Sequence, residues 1–304
     1  MKSYEWMVTY TPQTEWIERR GILLWLAFFF IELGAGMFFV ASLFNSLSAM
    51  LIGWFICAFL GGGLHFIFLG KPLRFWRMVF SPGWKTSWIS RGLSFVILYL
   101  ILSLVHMILV RGAGSHIALL VAVNVFAFLT IIYGGFAMNY VNGIPLWNTA
   151  ILPILYVISG IWGGAEVTLG IALASGAITI GVAIEEWIRI LLIGFILFIP
   201  VYLISVRCTS LTGQASVRNM VLRKWASLFW IVVVVLGMVI PLAAVISSFL
   251  FGLEATPVAL IYVAILTGML GDLAMRYLIL RCGLYRPLIP SNSSAEYVIS
   301  GTSL

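Results

Sequence analysis

The sequence predicts an all-α integral membrane protein: eight transmembrane helices arranged as two four-helix bundles. Three observations point there. Hydrophobic residues make up 62% of the 304 positions and charged residues 9%, whereas soluble domains carry about 25% charged residues. Apolar runs recur at about 20 residues, the length that crosses a hydrocarbon core as a helix. The runs are continuous rather than alternating, which favours helices over a closed barrel.

Taken in order, the runs and the breakers between them place spans at 21–43, 49–69, 91–110, 115–137, 149–172, 185–206, 224–249 and 257–280. The first follows Arg19 and Arg20 and stops before Asn45. The second runs into Gly70, Lys71 and Pro72, and the third opens at Arg91 and closes on Arg111. The fourth ends ahead of Asn142, Gly143 and Pro145. An Ala- and Gly-rich stretch, 170–184, separates the fifth from the sixth, and Arg207 ends the sixth. The seventh lies between Lys224 and Gly252, and the eighth between Pro257 and Arg281. Residues 1–20, with Glu5, Glu15 and Glu18, lack the short apolar core and small-residue site of a signal peptide. The organisation expected is a bundle over 1–140, a second over 141–290, and a mobile Ser-rich tail at 291–304.

Eight spans put both termini on one side. Lys and Arg gather there, while the opposite loops hold only Arg111. The positive-inside rule therefore places the termini in the cytoplasm of a cell-membrane protein. The longer loops, roughly 70–90, 138–148 and 207–223, lie on the same side, which makes that face the expected functional one. The net charge of +7 is read as topology and contact with lipid headgroups; no nucleic-acid-binding module is present. Cys57, Cys208 and Cys282 are scattered, without the clustered thiolates that an iron–sulfur or zinc centre needs.

Polar groups stand out against this background. The stretch from Gly70 to Gly92, GKPLRFWRMVFSPGWKTSWISRG, interleaves Lys71, Arg74, Arg77, Lys85 and Arg91 with Trp76, Trp84 and Trp88. Interfacial tryptophans and headgroup-bound cations explain part of it, Lys71 and Lys85 in particular. His65 sits one turn inside the second span, next to this loop, and histidine exchanges protons near neutral pH. Glu32, Glu166, Asp272 and Arg276 fall inside spans, where an ionisable group marks a pair or a pathway. Asp272 and Arg276, four residues apart, are expected to neutralise one another. Glu32 and Glu166 have no partner nearby in sequence and are the proton-relay candidates. Glu185, Glu186 and Arg189 read as an ordinary acidic helix N-terminus.

The order GKPLRFWRM, SWISRG, YGG, IPLWNT and LPILYVISGIWGG, over roughly residues 20–290, resembles the NrfD/polysulfide-reductase membrane-subunit family. The resemblance implies a membrane anchor of a respiratory oxidoreductase complex that binds menaquinone or another quinone in the first bundle. It implies an iron–sulfur partner of the four-cluster ferredoxin-like kind and a molybdopterin-type catalytic subunit, with no haem or cluster in the chain itself. By the same resemblance Tyr133 contacts the quinone, with Arg74, Arg77 and Arg91; His65 joins them on its own chemistry, as a carbonyl donor and proton carrier beside the loop. Some relatives place a histidine where this chain has Phe68. Others carry one near the start of the first span, where this chain has Trp16, Glu18 and Arg19. Trp147 and Asn148 match the family's WN and are expected to fix the junction between bundles. A quinone needs an apolar slot and a few polar groups for its carbonyls, which suits these residues. Two alternatives stand beside this reading. A haem b carrier would use His106 and His116, although both flank one tight connector. A secondary transporter would use the intramembrane acids, although paired helix interruptions are not evident.

Overall fold

The computed structural model describes residue 7 and residues 9–80, 82–112, 114 and 116–288; the tail 291–304 lies outside them. Among the described residues eight helices are long and apolar enough to cross a membrane: Gly21–Leu43, Leu47–Phe68, Trp88–Gly112, Ile117–Asn139, Ile151–Ala174, Ile178–Thr209, Leu228–Phe251 and Val258–Arg281. The chain is a multi-pass helical membrane protein.

Six of the expected spans agree with the helices to within three residues at each end, and the seventh begins four residues later than expected. The sixth differs. Its helix begins at Ile178 rather than 185 and continues through Pro200 to Thr209. Ala and Gly in this stretch blur the hydrophobic signal without breaking the helix, since Ala is the strongest helix former. Glu185, Glu186 and Arg189 therefore lie inside the helix rather than at its N-terminus. The expected loop 207–223 also differs, because Leu211–Val221 forms a helix capped by Ser210, whose hydroxyl accepts from the Gly213 amide at 3.1 Å. The 70–90 loop is likewise partly helical, with short turns at Pro72–Arg74, Trp76–Phe80 and Pro82–Lys85.

The first and fifth spans are the most buried of the eight, and they lie against each other. Glycine permits this approach. A side chain at Gly36 or at Gly164 would overlap backbone of the facing helix, the small-residue packing that draws helices together where no hydrophobic drive separates them from lipid. Further pairings join the first span to the second and fourth, the third to the fourth, the fifth to the sixth and eighth, and the seventh to the eighth. The second span contains a π-helical segment, Ile56–Gly62. There Gly61 faces the backbone of Ile31, within 2.9 Å of where a Cβ would stand. A π segment shifts the helix register, and His65 follows it by one turn.

Thr11–Pro12 and Leu284–Tyr285 pair as two antiparallel strands, so the two ends of the described chain meet on one side. Glu18 and Arg281 form an ion pair there. Trp147 donates from Nε1 to the Ile279 carbonyl at 2.7 Å, and Tyr202 donates to the Leu146 carbonyl at 2.6 Å. The loop after the fourth span is thereby tied to the sixth and eighth.

Candidate functional site

Two of the residues singled out from the sequence meet directly. His65 Nδ1 lies 3.1 Å from the Gly61 carbonyl. An oxygen there can only accept, so Nδ1 carries the proton and Nε2 is left as the acceptor. Tyr133 Oη lies 3.2 Å from that Nε2 and donates to it. The second and fourth spans thus present an imidazole and a phenol as one hydrogen-bonded unit near the terminal face.

The walls are aromatic. Phe28 of the first span stands edge-on to His65 at 5.2 Å and tilted to Tyr133 at 5.9 Å. Trp16 stacks on Phe28 at 6.5 Å and lies tilted against Trp147 at 5.1 Å. Tyr133 is buried while His65 is only half-buried, so the pair is closed behind the tyrosine and open beside the histidine. The Tyr133 ring lies over Gly92, where any Cβ would overlap it. Glycine at that position therefore sets where the ring can lie. Phe28 carried no polar signal and was missed from the sequence. Its spacing of four residues before Glu32, one helical turn, was the available clue.

The cations of the loop are placed elsewhere. Arg91 donates from Nε to the Trp84 carbonyl at 3.1 Å and also bonds the Lys85 carbonyl. Its guanidinium covers the Trp88 ring at 4.8 Å, and Trp88 stacks on Phe136 at 4.4 Å. Arg91 thus holds the loop onto the third and fourth spans. Arg77 covers Trp76 at 5.5 Å. Both Arg74 and Arg77 are exposed, and neither makes an ion pair among the described residues. No hydrogen bond joins these three arginines to His65 or Tyr133. Glu18 pairs with Arg281 rather than reaching the site.

Behind the pair lies a buried charge cluster. Glu32, without a partner in its own helix, receives a bond from Arg276 Nη1 of the eighth span. Arg276 also holds Asp272 at 3.0 Å and Ser159 Oγ at 2.5 Å, and it sits over Tyr156 at 4.5 Å. The expected Asp272–Arg276 pair is present, but it is part of a larger cluster. Glu32, Asp272 and Arg276 are each at most 7% exposed. Glu32 Oε1 keeps no partner and faces Gly134, 2.5 Å from where a Cβ would stand, next to Tyr133. Ser159 was missed from the sequence, being one hydroxyl among many in the spans.

His106 is 1% exposed, with both ring nitrogens unpartnered, and packs near Phe38 at 6.5 Å. His116 is exposed at the start of the fourth span. Helix packing encloses one and leaves the other at the connector, so they do not face one another across a shared site. Among the described residues no three His, Cys, Asp or Glu side chains are grouped to hold a metal ion.

Fold and site together define a polytopic membrane protein with an aromatic-walled polar pair at one face and a buried charge cluster behind it. The chain matches the family model described as polysulphide reductase, NrfD, over residues 19–287, and it belongs to the NrfD family, the membrane subunits of polysulphide reductase-like complexes. No curated protein matches it.

Proposed function

We propose that this chain is the quinone-reactive membrane subunit of a respiratory oxidoreductase complex, and that its site lies at His65 and Tyr133. The observation that carries this reading is the His65–Tyr133 hydrogen bond, half-open and walled by Phe28 and Trp16. A phenol donor, an imidazole and flat apolar walls match the donor set and slot that a quinone headgroup requires. A bound quinone supplies a two-electron, two-proton couple; electrons come from or go to a docked partner. Tyr133 can redirect its O–H from His65 to a ligand carbonyl. His65, with Nδ1 held by Gly61, can then give or take a proton at Nε2. Glu32 Oε1 is the next unpartnered oxygen behind them, which supports its place in a proton relay.

The partner class we infer is an iron–sulfur subunit, joined to a molybdopterin-type catalytic subunit. Its docking face is the terminal side. Arg74 and Arg77 there are exposed, without ion-pair partners among the described residues, and Trp76, Leu73 and Phe80 are exposed beside them. A cationic and aromatic surface of this kind suits an acidic protein partner. Helix pairings 1·2, 3·4, 5·6 and 7·8 support reading the halves as two four-helix bundles. Quinone-dependent turnover of the purified complex tests the reading. Tyr133→Phe and His65→Ala are expected to slow it without loss of assembly; unchanged turnover in both would remove the site from this pair.

A further inference from the structure

A groove lies between spans six and seven, in the second half of the chain. The two helices pack against each other through Ile240–Phe251 of the seventh. The groove opens alongside the remainder of that span, Leu228–Val239. Its volume is about 360 Å³, and every residue lining it is apolar except Arg207. Ile204 and Trp230 in its walls are exposed, so it faces lipid. The short helix Leu211–Val221 adds Val217 and Val221 at the terminal end. Trp230 donates from Nε1 to the Val221 carbonyl at 3.0 Å, which fixes its ring as a wall and uses its only donor.

The dimensions select an occupant. Along span six the lining runs from Ile196 to Arg207, about 16 Å at the rise of an α-helix. That is about half of a hydrocarbon core of about 30 Å, the depth of one leaflet. Volume over length gives a mean cross-section of about 20 Å², whereas a helix about 10–12 Å across presents roughly 80–110 Å². A helix cannot seat in this slot; an extended hydrocarbon chain can.

The mouth selects the charge. Arg207 closes the groove at the terminal face, Arg218 stands between the lining residues Val217 and Val221, and Arg223 and Lys224 follow directly. All four are exposed. Lys224 lies over the Trp225 ring at 6.0 Å, and the three arginines make no ion pair among the described residues. The sequence between Glu186 and Glu254 contains no carboxylate. Topology requires positive charge on this side, but it does not require it at the head of a slot one leaflet deep. We propose that the groove is a binding site for an anionic phospholipid of the terminal-side leaflet. One acyl chain lies between spans six and seven, and the phosphate meets Arg207, with Arg218 and Arg223 beside it. Basic pockets between spans recognise acidic headgroups in this way, and a guanidinium fork matches phosphate oxygens. A zwitterionic lipid brings its own cation and a quinone brings no charge, so neither draws on this cluster. The site is separate from His65 and Tyr133 and does not depend on the quinone reading.

The test uses the purified complex and a phosphatidylglycerol probe with a photoactivatable group midway along one acyl chain. Peptide mass mapping is expected to find adducts within 196–204 and 229–238. Excess phosphatidylglycerol should displace them, whereas phosphatidylcholine, a quinone or inorganic phosphate should not. Each arginine near an acidic headgroup contributes roughly five-fold in affinity, so Arg207→Gln with Arg218→Gln should lower labelling by about ten-fold or more. Val234→Trp, which fills the slot, should abolish it, and Arg111→Gln on the opposite face should leave it unchanged. Equal labelling by a phosphatidylcholine probe, displacement by a quinone or by inorganic phosphate, or no adduct in either segment overturns the proposal. So does a crosslink from a photoreactive residue introduced at Val234 to another protein chain, which would assign the groove to a partner or a second copy. The competition measurements need no variant to assemble.

Discussion

Arg276 on the eighth span bonds Glu32 on the first, across 244 positions of sequence. The arginine is 3% exposed and the glutamate is fully buried. Arg276 also holds Asp272 and Ser159, so one guanidinium joins the first, fifth and eighth spans. A planar fork with several donors suits this task, and lysine does not reproduce it.

Removing that guanidinium strands two buried carboxylates. Arg276→Ala is expected to destabilise the protein by about 3–5 kcal/mol, the range for breaking one side of a buried pair. Arg276→Lys should recover only part of this. Thermal unfolding of the detergent-solubilised protein measures both. A melting point for Arg276→Ala equal to wild type would mean that the cluster is not holding the spans together.

Tyr133→Phe deletes one hydroxyl and keeps the ring over Gly92. A buried polar contact of this kind contributes about 1–3 kcal/mol, so quinone turnover should fall by roughly ten-fold or more with helix content unchanged. Binding of a quinone-site inhibitor, followed by titration, provides the second measurement.

Gly92→Ala acts on the same tyrosine from the other side. The added Cβ would overlap the Tyr133 ring, so the ring must move away from the third span and its bond to His65 should lengthen. Turnover is expected to fall nearly as far as in Tyr133→Phe. Gly63→Ala is the control, because a Cβ there meets nothing within 4 Å, and it should leave turnover as it is.

Sidedness can be read from a native residue. Cys208 is exposed near the end of the sixth span, whereas Cys57 and Cys282 are buried. The charge bias expects the Cys208 side to be cytoplasmic. An impermeant maleimide should then label Cys208 in inside-out vesicles and not in intact cells. The reverse pattern would place this face, and any partner docked on it, outside.

Docking on the terminal face predicts crosslinks to a partner from Lys71 and Lys85 in the purified complex. Crosslinks confined to introduced lysines in the connectors at 113–116 or 252–257 would move the partner to the other face. Arg74→Glu with Arg77→Glu should weaken association and flatten its fall with added salt, because the attraction that salt screens has been removed.

The sequence by itself determined the class, the number of spans and the lopsided distribution of charge. These follow from residue-by-residue partitioning between water and lipid, which needs no knowledge of neighbours. It also marked His65, Glu32, Glu166, Asp272 and Arg276, because an ionisable group is costly in an apolar run, and Tyr133 through the resemblance carried by YGG. It misplaced the start of the sixth helix, where Ala and Gly are too weakly hydrophobic to show a boundary. It also took 207–223 for a loop, although Ser210 and the apolar positions of Leu211–Val221 build a short helix there. Tertiary structure alone decided who meets whom. Tyr133 finds His65 because Gly61 and Gly92 let the helices come close, and Glu32 finds Arg276 because Gly36 and Gly164 let the first span lie against the fifth. Arg91, marked from the sequence as a quinone contact, holds the carbonyls of its own loop in the structure. Helix contacts in a membrane depend on the surfaces of two helices at once, and hydropathy reads only one chain segment at a time.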